Sequence, residues 1–289
     1  MIHHRASYGS ALHWLEGRRM LIQRYLQTFY SPYDWSVIKN FFWNNPIQAR
    51  VILDDFSKTN EAKLNIVIDI FLKGKSLIIY IVGGRGSGKT ATAFMLVEVI
   101  HRNNPSRRIY YIGDGVNKQV LPSWCYFEQD IRKAPDGCVA ILDESGIQFN
   151  AREYQDKDNI DMSKLLMIAR HKDMSLIFLT QHTSLSDTNI QRLRDLVIWK
   201  MSNDYTPAEK GTTRSKEHQF WKKVRQMMMP RTKEECLFEY PMQRRFIHFS
   251  HQLPDCWTEQ LSKTWKGRVF EKKIEVKKAN RKEVKKDVY

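Results

Sequence analysis

The sequence lacks the features that usually stabilise a secreted protein or anchor one in a membrane. Its four cysteines, in 289 residues, show neither Cys-x-x-Cys spacing nor the nearby histidines of a zinc site. The longest uncharged apolar stretch lies at about residues 76–84, which is less than half of a membrane span. No basic segment followed by an apolar one opens the sequence as a secretory leader would. We therefore expect a soluble, cytoplasmic protein without a transmembrane segment and with reduced cysteines.

Acidic residues are outnumbered by basic ones. The chain has 32 Asp and Glu against 47 Lys and Arg, which gives a formal net charge of +15. Residues 262–289 contain eleven Lys or Arg and four Asp or Glu, a surplus of seven positive charges. This balance predicts a surface that attracts polyanions, with nucleic acid as the first candidate and an acidic membrane surface as the second. A basic tail is also commonly just a solvated segment.

The hydrophobic pattern predicts an α/β fold with a mostly parallel central sheet flanked by helices. Helical spacing appears at residues 10–30, at 34–44 with Asp34 as N-cap and an end at Pro46, and at 60–73. Short apolar strands then alternate with helical segments. These strands are predicted at about 76–82, 108–113, 138–143, 175–181 and 195–201.

Beyond residue 210 the pattern predicts a helix at about 215–229 and a β-hairpin formed by residues 237–240 and 245–250. We therefore divide the chain into four parts. They are a helical N-terminal extension (1–74), a core (75–205), a C-terminal part of the same domain with the hairpin (206–261), and a basic tail (262–289).

A complete phosphate-binding motif follows the first predicted strand and precedes a helical segment. Its residues, the phosphate loop below, are Gly83, Gly84, Arg85, Gly86, Ser87, Gly88, Lys89 and Thr90. Glycines let the backbone turn its N–H groups inward toward phosphate oxygens, and the following helix adds its own free N–H groups. Lys89 supplies charge to the outer phosphates, and the Thr90 hydroxyl binds the accompanying magnesium ion. The motif predicts binding of a nucleoside triphosphate with Mg²⁺.

Two carboxylates end the third predicted strand. Asp143 is suited to hold magnesium through its water shell, and Glu144 to orient and deprotonate an attacking water. An apolar run followed by Asp-Glu commonly marks only the end of a strand. Downstream of a complete phosphate loop, we interpret the pair as catalytic.

The next predicted strand ends in an amide, at Gln181. A glutamine at this position is able to contact the γ-phosphate or the attacking water. The alternative is a strand-end residue that is hydrogen-bonded to a loop.

These residues together resemble the FtsK/HerA superfamily of P-loop ATPases. The matching segments are the phosphate loop, Ile141–Glu144, Phe149–Arg152, Ala169–Lys172 and Leu179–Gln181. The superfamily includes DNA-pumping motors, viral genome-packaging ATPases and the zonula occludens toxin-like assembly proteins of filamentous phages, which have the most similar Arg-His and Thr-Gln pattern. The resemblance covers about residues 76–201. It implies ATP as substrate, Glu144 as catalytic glutamate, Gln181 as polar sensor, and usually a ring of six subunits.

A ring motor needs an arginine from the neighbouring subunit, because the charge of the transition state is then neutralised only when the subunits are docked. Arg170 is the first candidate, since it occupies the family's basic position before the fourth predicted strand. Arg152, Arg192 and Arg194 stay open. For each of them a surface salt bridge is the alternative role.

The leading hypothesis is an ATP-hydrolysing motor that translocates or packages double-stranded DNA for a virus, plasmid or other mobile element, in the host cytoplasm if viral. A second hypothesis is a toxin-like assembly ATPase that drives filament or virion morphogenesis with a capsid or membrane partner. Toxin-like proteins commonly carry a membrane span after the ATPase domain, and this sequence has none. A third is a nucleotide-dependent switch or scaffold with little turnover.

Overall fold

A computed structural model describes residues 8–29, 35–73, 76–112, 118–143, 162–181, 194–201, 225, 228–240 and 245–262. Within these residues no helix has the length and apolar character needed to cross a membrane. The four cysteines are free thiols. Burial raises the pKa of the Cys125 thiol to about 12 and that of the Cys138 thiol to about 11. Both thiols are therefore protonated near neutral pH, as expected for unreactive core cysteines.

In the described part of the N-terminal region, five helices precede the first strand. They are α1 (Tyr8–Gly17), α2 (Arg19–Phe29), α3 (Trp35–Asn44), α4 (Pro46–Ser57) and α5 (Asn60–Lys73). The predicted helix at 10–30 is divided after Gly17, a residue type of low helix propensity. Pro46, which we expected only to end α3, also begins α4, because the fixed φ of proline suits the first helical turn. Asp34 lies outside the described residues.

Eight strands in the described residues form one mixed sheet. They are β1 (Ile78–Val82), β2 (Ile109–Ile112), β3 (Cys125–Glu128), β4 (Val139–Asp143), β5 (Ser175–Thr180), β6 (Leu196–Trp199), β7 (Glu235–Tyr240) and β8 (Arg245–Ser250). Their order is β3-β2-β4-β5-β1-β6-β7-β8. The first six in this order are parallel, and β7 and β8 extend the sheet as an antiparallel hairpin. The α/β prediction, its five strands and the hairpin are confirmed.

One strand in the described residues was not predicted from the sequence. The sequence pattern missed β3, which lies at the edge of the sheet and has Tyr126 49% exposed. An edge strand that faces solvent needs no continuous apolar run, so its sequence carries little strand signal. The helix predicted at 215–229 lies almost entirely outside the described residues.

Helices cover both faces of the sheet. Alternate residues of β1 point to opposite faces, so that Ile78 and Tyr80 join one buried cluster and Ile79 and Ile81 the other. The first cluster includes side chains of α1 to α4 and of α7 (Met162–His171). The second includes α5, α6 (Lys89–Asn103) and Leu261 in the short helix α8 (Glu259–Ser262). With both faces covered, the central parallel strands are almost entirely apolar.

The N-terminal helices are joined to the last strand by a buried ion pair. Arg245 on β8 donates from Nε to Oδ2 of Asp55 at 2.6 Å and from Nη2 to Oδ1 of Asp55 at 2.7 Å. The Asp55 side chain is 2% exposed, whereas that of Arg245 is 23% exposed. Asn60, at the start of α5, adds a second link to β8. Its side-chain amide donates to the carbonyl of Ser250 and accepts from the N–H of Ser250, both at 2.6 Å. These contacts fix the helical extension against β8.

We expect Asp55→Ala to lower the free energy of unfolding by about 2–3 kcal/mol, because it leaves a half-buried guanidinium without its partner. Urea denaturation followed by circular dichroism measures this loss. The matched control is Asp54→Ala, since the Asp54 side chain is 44% exposed and its Oδ2 makes only a long ion pair, at 3.9 Å, with Nε of Arg50. The control should change the unfolding free energy by less than about 0.5 kcal/mol. Equal unfolding midpoints for the two variants would contradict the assignment.

Candidate nucleotide-binding site

The phosphate loop connects β1 to α6 at the carboxyl edge of the parallel strands. Its first residue, Gly83, donates its N–H to the carbonyl of Thr180 at the end of β5 (3.2 Å). Gly84 donates to the carbonyl of Met201, just beyond β6, at 3.2 Å. The loop is thus attached to both strands that flank β1. Its backbone position is set by the sheet before any ligand binds.

Two glycines in the loop are required for different reasons. A Cβ atom at Gly83 would lie 2.6 Å from Cβ of Lys200 and 2.7 Å from Oγ of Ser87, too close for any side chain. Gly88 has φ of +86°, a conformation that other residues rarely adopt. It directly precedes the first residue of α6, so the N–H groups of that first turn face the loop.

Lys89 and Ser87 direct polar groups into the loop. Lys89 Nζ donates to the carbonyls of Gly83 and Gly84, at 2.8 and 3.0 Å. Ser87 is 2% exposed, and its Oγ has no hydrogen-bond partner in the described part of the chain. A buried hydroxyl of this kind is costly unless a ligand satisfies it. The loop therefore fits a phosphate group, whose oxygens accept from Ser87, Lys89 and the backbone.

The predicted catalytic strand ends lie at the same edge. β5 separates β4 from β1, and Asp143 on β4 is aligned with Leu179 on β5, one residue before Thr180. Gln181 directly follows β5 and is exposed. The structure thus places Gln181 and the backbone of Asp143 at the edge that carries the phosphate loop. Glu144 and the side chain of Asp143 lie outside the described residues.

A magnesium ion would depend on few protein ligands here. The described residues contain no group of three or more His, Cys, Asp or Glu that could hold a metal. Magnesium bound with a nucleotide typically uses one or two protein groups together with phosphate oxygens. Thr90, in the first turn of α6, and Asp143, at the end of β4, match that pattern by position.

The two arginine candidates that the structure describes, Arg170 and Arg194, do not lie at this edge. Arg170 is exposed in the last turn of α7, just before β5 begins. Its charge acts on Asp195, whose carboxylate accepts from the N–H of Ile78 at the start of β1 (2.8 Å). Arg170 and neighbouring Arg194 are thus at the amino edge, opposite the phosphate loop. Arg152 and Arg192 lie outside the described residues.

Lys200 is a residue of this site that the sequence analysis missed. It follows β6, its side chain is completely buried, and its Cβ lies against Gly83. Its Nζ donates to the carbonyls of Lys233 and Glu235, the latter at 2.8 Å, and to Sγ of Cys236 at 3.3 Å. Three acceptors match the three N–H donors of an ammonium group. The arrangement places a positive charge directly behind the phosphate loop.

A buried histidine contacts the same loop through a threonine. Burial lowers the pKa of His251, and the charge of Lys200 lowers it further. The neutral ring donates from Nδ1 to the carbonyl of Gln252 (2.8 Å), so its Nε2 accepts. The hydroxyl of Thr92 lies 2.9 Å from Nε2 and 3.1 Å from the carbonyl of Gly88. The segment after β8 is thereby joined to the start of α6.

A cleft of about 410 Å³ opens beside the loop. Its lining includes residues 86–91 and the polar residues Lys233, Glu234 and His251. The other lining residues are apolar: Phe94, Tyr111, Leu121, Leu253, Trp257 and Leu261. Sequence reasoning identified only the phosphate-loop residues of this cleft.

We expect Lys200→Met to weaken nucleotide binding by about fivefold or more, because it removes the positive charge behind the loop. It should also lower the free energy of unfolding by about 1–3 kcal/mol, since the carbonyls of Lys233 and Glu235 lose a donor. Calorimetric titration with an ATP analogue measures the affinity, and denaturation the stability. The control is Lys73→Met, a surface lysine that is 76% exposed. Parent-like affinity in Lys200→Met would contradict this role.

No family model and no curated protein matches this sequence. Among solved structures, the chain is similar to the genome packaging NTPase B204 of Sulfolobus turreted icosahedral virus 2, in complex with ATP-gammaS. The identity is 14% and the TM-score 0.41, over 63% of this chain and all of that one. It is similar to EssC ATPases 2 and 3 of Geobacillus thermodenitrificans (16%, TM-score 0.42, 65% of this chain and 41% of that one). It is also similar to the N-terminal domain of zonular occludens toxin from Neisseria meningitidis. The identity is 18% and the TM-score 0.35, over 62% of this chain and 95% of that one.

The fold can be identified from the topology of the chain itself. A phosphate loop follows β1 at the carboxyl edge of a mostly parallel sheet that is covered by helices on both faces. The chain has the fold of a P-loop NTPase.

Proposed function

We propose that the chain is an ATP-hydrolysing motor that translocates or packages double-stranded DNA for a virus or mobile element. One observation carries the proposal. The loop between β1 and α6 presents Lys89 Nζ, the buried Ser87 hydroxyl and the backbone of a helix N-terminus at one point. This set of donors suits the outer phosphates of a nucleotide.

Each residue of the carboxyl edge then has a distinct role. Lys89 exchanges its two carbonyl contacts for oxygens of the β- and γ-phosphates. Thr90 and Asp143 would hold the magnesium ion that accompanies the phosphates, and that ion would supply neutralisation of the charge that develops during phosphoryl transfer. Glu144 orients and deprotonates the attacking water. Gln181, beside the loop at the end of β5, contacts the γ-phosphate or that water.

A ring of identical subunits would complete the site. In the proposal Arg170 is supplied in trans and stabilises the transition state of the neighbouring subunit. Because Arg170 lies at the amino edge of its own sheet, the neighbour has to receive it at the opposite, carboxyl edge. Such a head-to-tail contact is heterologous, and it gives a closed ring when the rotation between neighbouring subunits is a whole fraction of a turn; six subunits are proposed here.

Charge supports DNA as the polymer that is moved. A net charge of +15 and the basic tail at residues 262–289 favour contacts with phosphates, which do not depend on base sequence. A packaging motor needs this kind of contact, because it has to move any sequence. ATP hydrolysis would shift loops that face a central channel, and this movement would carry the DNA through the channel.

We expect Glu144→Gln to lower ATP turnover by about a hundredfold or more while ATP binding is retained, because the amide cannot accept the proton of the attacking water. Phosphate release measures turnover, and calorimetric titration measures binding. The matched control is Glu61→Gln, an exposed residue in the first turn of α5, which should leave both unchanged. Turnover that survives in Glu144→Gln would remove the catalytic base from the proposal.

Double-stranded DNA should stimulate ATP hydrolysis severalfold at about 50 mM salt, and its binding should weaken at least tenfold by about 200 mM salt, because bound counterions are released from the phosphates. The measurement is phosphate release at several salt concentrations with and without DNA. Polyglutamate is the control, since it is anionic but lacks the spacing of a nucleic acid. Equal activity with DNA, with polyglutamate and without either would contradict a DNA motor. That result would favour the second hypothesis, an assembly ATPase, whose activity should instead respond to a co-purifying capsid or membrane protein.

A further inference from the structure

The N-terminal helices carry apolar side chains and arginines together on their outer surface. We propose that this surface, the helical face below, binds a bilayer that contains anionic lipid, so that the protein lies on the membrane without spanning it. The helical face consists of Arg18, Arg19, Met20, Trp43, Ile47, Arg50 and Val51. This contact is separate from the nucleotide site and goes beyond the proposed function.

The apolar part of the helical face lies mainly on α4. Ile47 and Val51 are exposed and four residues apart, so they lie on the same side of the helix. On its other side, Ile52 and Leu53 are buried in the core. Trp43, near the end of α3, is exposed four positions before Ile47. Exposed apolar side chains that cluster in this way mark an interaction site.

Two arginines connect this apolar stripe to α1 and α2. The guanidinium carbons of Arg18 and Arg50 lie 5.6 and 5.3 Å from the centroid of the Trp14 ring, within the range of a cation–π contact. Arg50 directly precedes Val51 on α4. Arg18 is followed two residues later by Met20, whose side chain is 85% exposed. The helical face is therefore one surface, on which cations lie beside exposed apolar side chains.

The charge of α1 to α4 is complementary to an anionic surface. Asp55 does not contribute, because it is buried and paired with Arg245. The other charged side chains are the five basic residues Arg18, Arg19, Arg24, Lys39 and Arg50 and the two acidic residues Glu16 and Asp54. Each Lys or Arg near an anionic leaflet adds to the attraction, which acts within a Debye length. The surplus of three positive charges thus favours anionic lipid.

The apolar side chains distinguish a bilayer from the other anionic partners. A DNA backbone has no apolar surface that could cover Met20 or Ile47. A folded protein would need a matching pocket for each projecting side chain, whereas a fluid bilayer adapts to them. At the lipid interface, apolar side chains enter the acyl boundary while the guanidinium groups stay with the lipid phosphates. Tryptophan, here Trp43, is favoured at the same depth.

The experiment measures binding of the full chain to vesicles by flotation. The vesicles contain phosphatidylcholine alone or with about 30% phosphatidylglycerol. Met20→Ser and Ile47→Ser remove apolar contacts without a change of charge, and Arg19→Gln removes one positive charge. The matched controls are Met167→Ser on α7 and Lys73→Gln on α5, whose side chains are 60% and 76% exposed outside the helical face. Urea denaturation establishes that each variant is folded.

We expect the parent chain to bind the anionic vesicles about tenfold or more tightly than the neutral ones. Met20→Ser and Ile47→Ser should weaken binding to anionic vesicles about threefold to tenfold, since apolar contact area is lost. Arg19→Gln should weaken it about threefold, and less as salt is raised. Both control variants should bind within about twofold of the parent. Met20→Ser and Ile47→Ser should bind duplex DNA like the parent, because DNA contacts depend on charge.

Several results would overturn the membrane contact. One is a parent chain that binds anionic vesicles no better than neutral ones. Another is parent-like vesicle binding by both Met20→Ser and Ile47→Ser, or an equal loss in Met167→Ser. If the first two variants lose DNA affinity as well, the helical face is a DNA contact instead. Binding to vesicles prepared from cell membranes, but not to protein-free anionic vesicles, would identify a membrane protein as the partner.

Discussion

The phosphate loop can occupy its position only because residue 83 has no side chain. The backbone there passes within contact distance of Oγ of Ser87 in the same loop and of Cβ of Lys200, which brings the loop and the end of β6 together. Lys200 continues from this contact to the carbonyls of Lys233 and Glu235, at the start of β7. The close approach at Gly83 thus fixes the loop relative to the end of β6 and, through Lys200, to the start of β7.

The parts of the site are connected mainly through the backbone and through α6. The loop hydrogen-bonds to the ends of β5 and β6, and α6 holds the segment after β8 through Glu98. Movement of α6 relative to the sheet would therefore displace the phosphate loop and the segment after β8 together. In the proposed motor, this connection would let chemistry at the phosphates displace distant surfaces.

The sequence predicted what depends on local pattern. β1 and β5 are buried on both faces, so their apolar runs are continuous, and the motif of the phosphate loop is complete in itself. Lys200 was not predicted, because a lysine normally indicates surface and its three acceptors lie 33 to 36 residues further along the chain. Leu253 and Trp257, which line the cleft, were not predicted either, because they lie far from the phosphate loop in the sequence. Arg170 was chosen by its position in the family motif. Because it precedes β5, it lies at the amino edge of its own sheet and not beside its own phosphate loop.

The contact between Asp55 and Arg245 joins residues that are 190 positions apart. The helices up to α5 leave the ribosome first, but the strand on which α4 docks is among the last elements to be synthesised. Asp55 is therefore synthesised long before its partner Arg245, and α4 can contact β8 only once that strand has been made and has paired with β7.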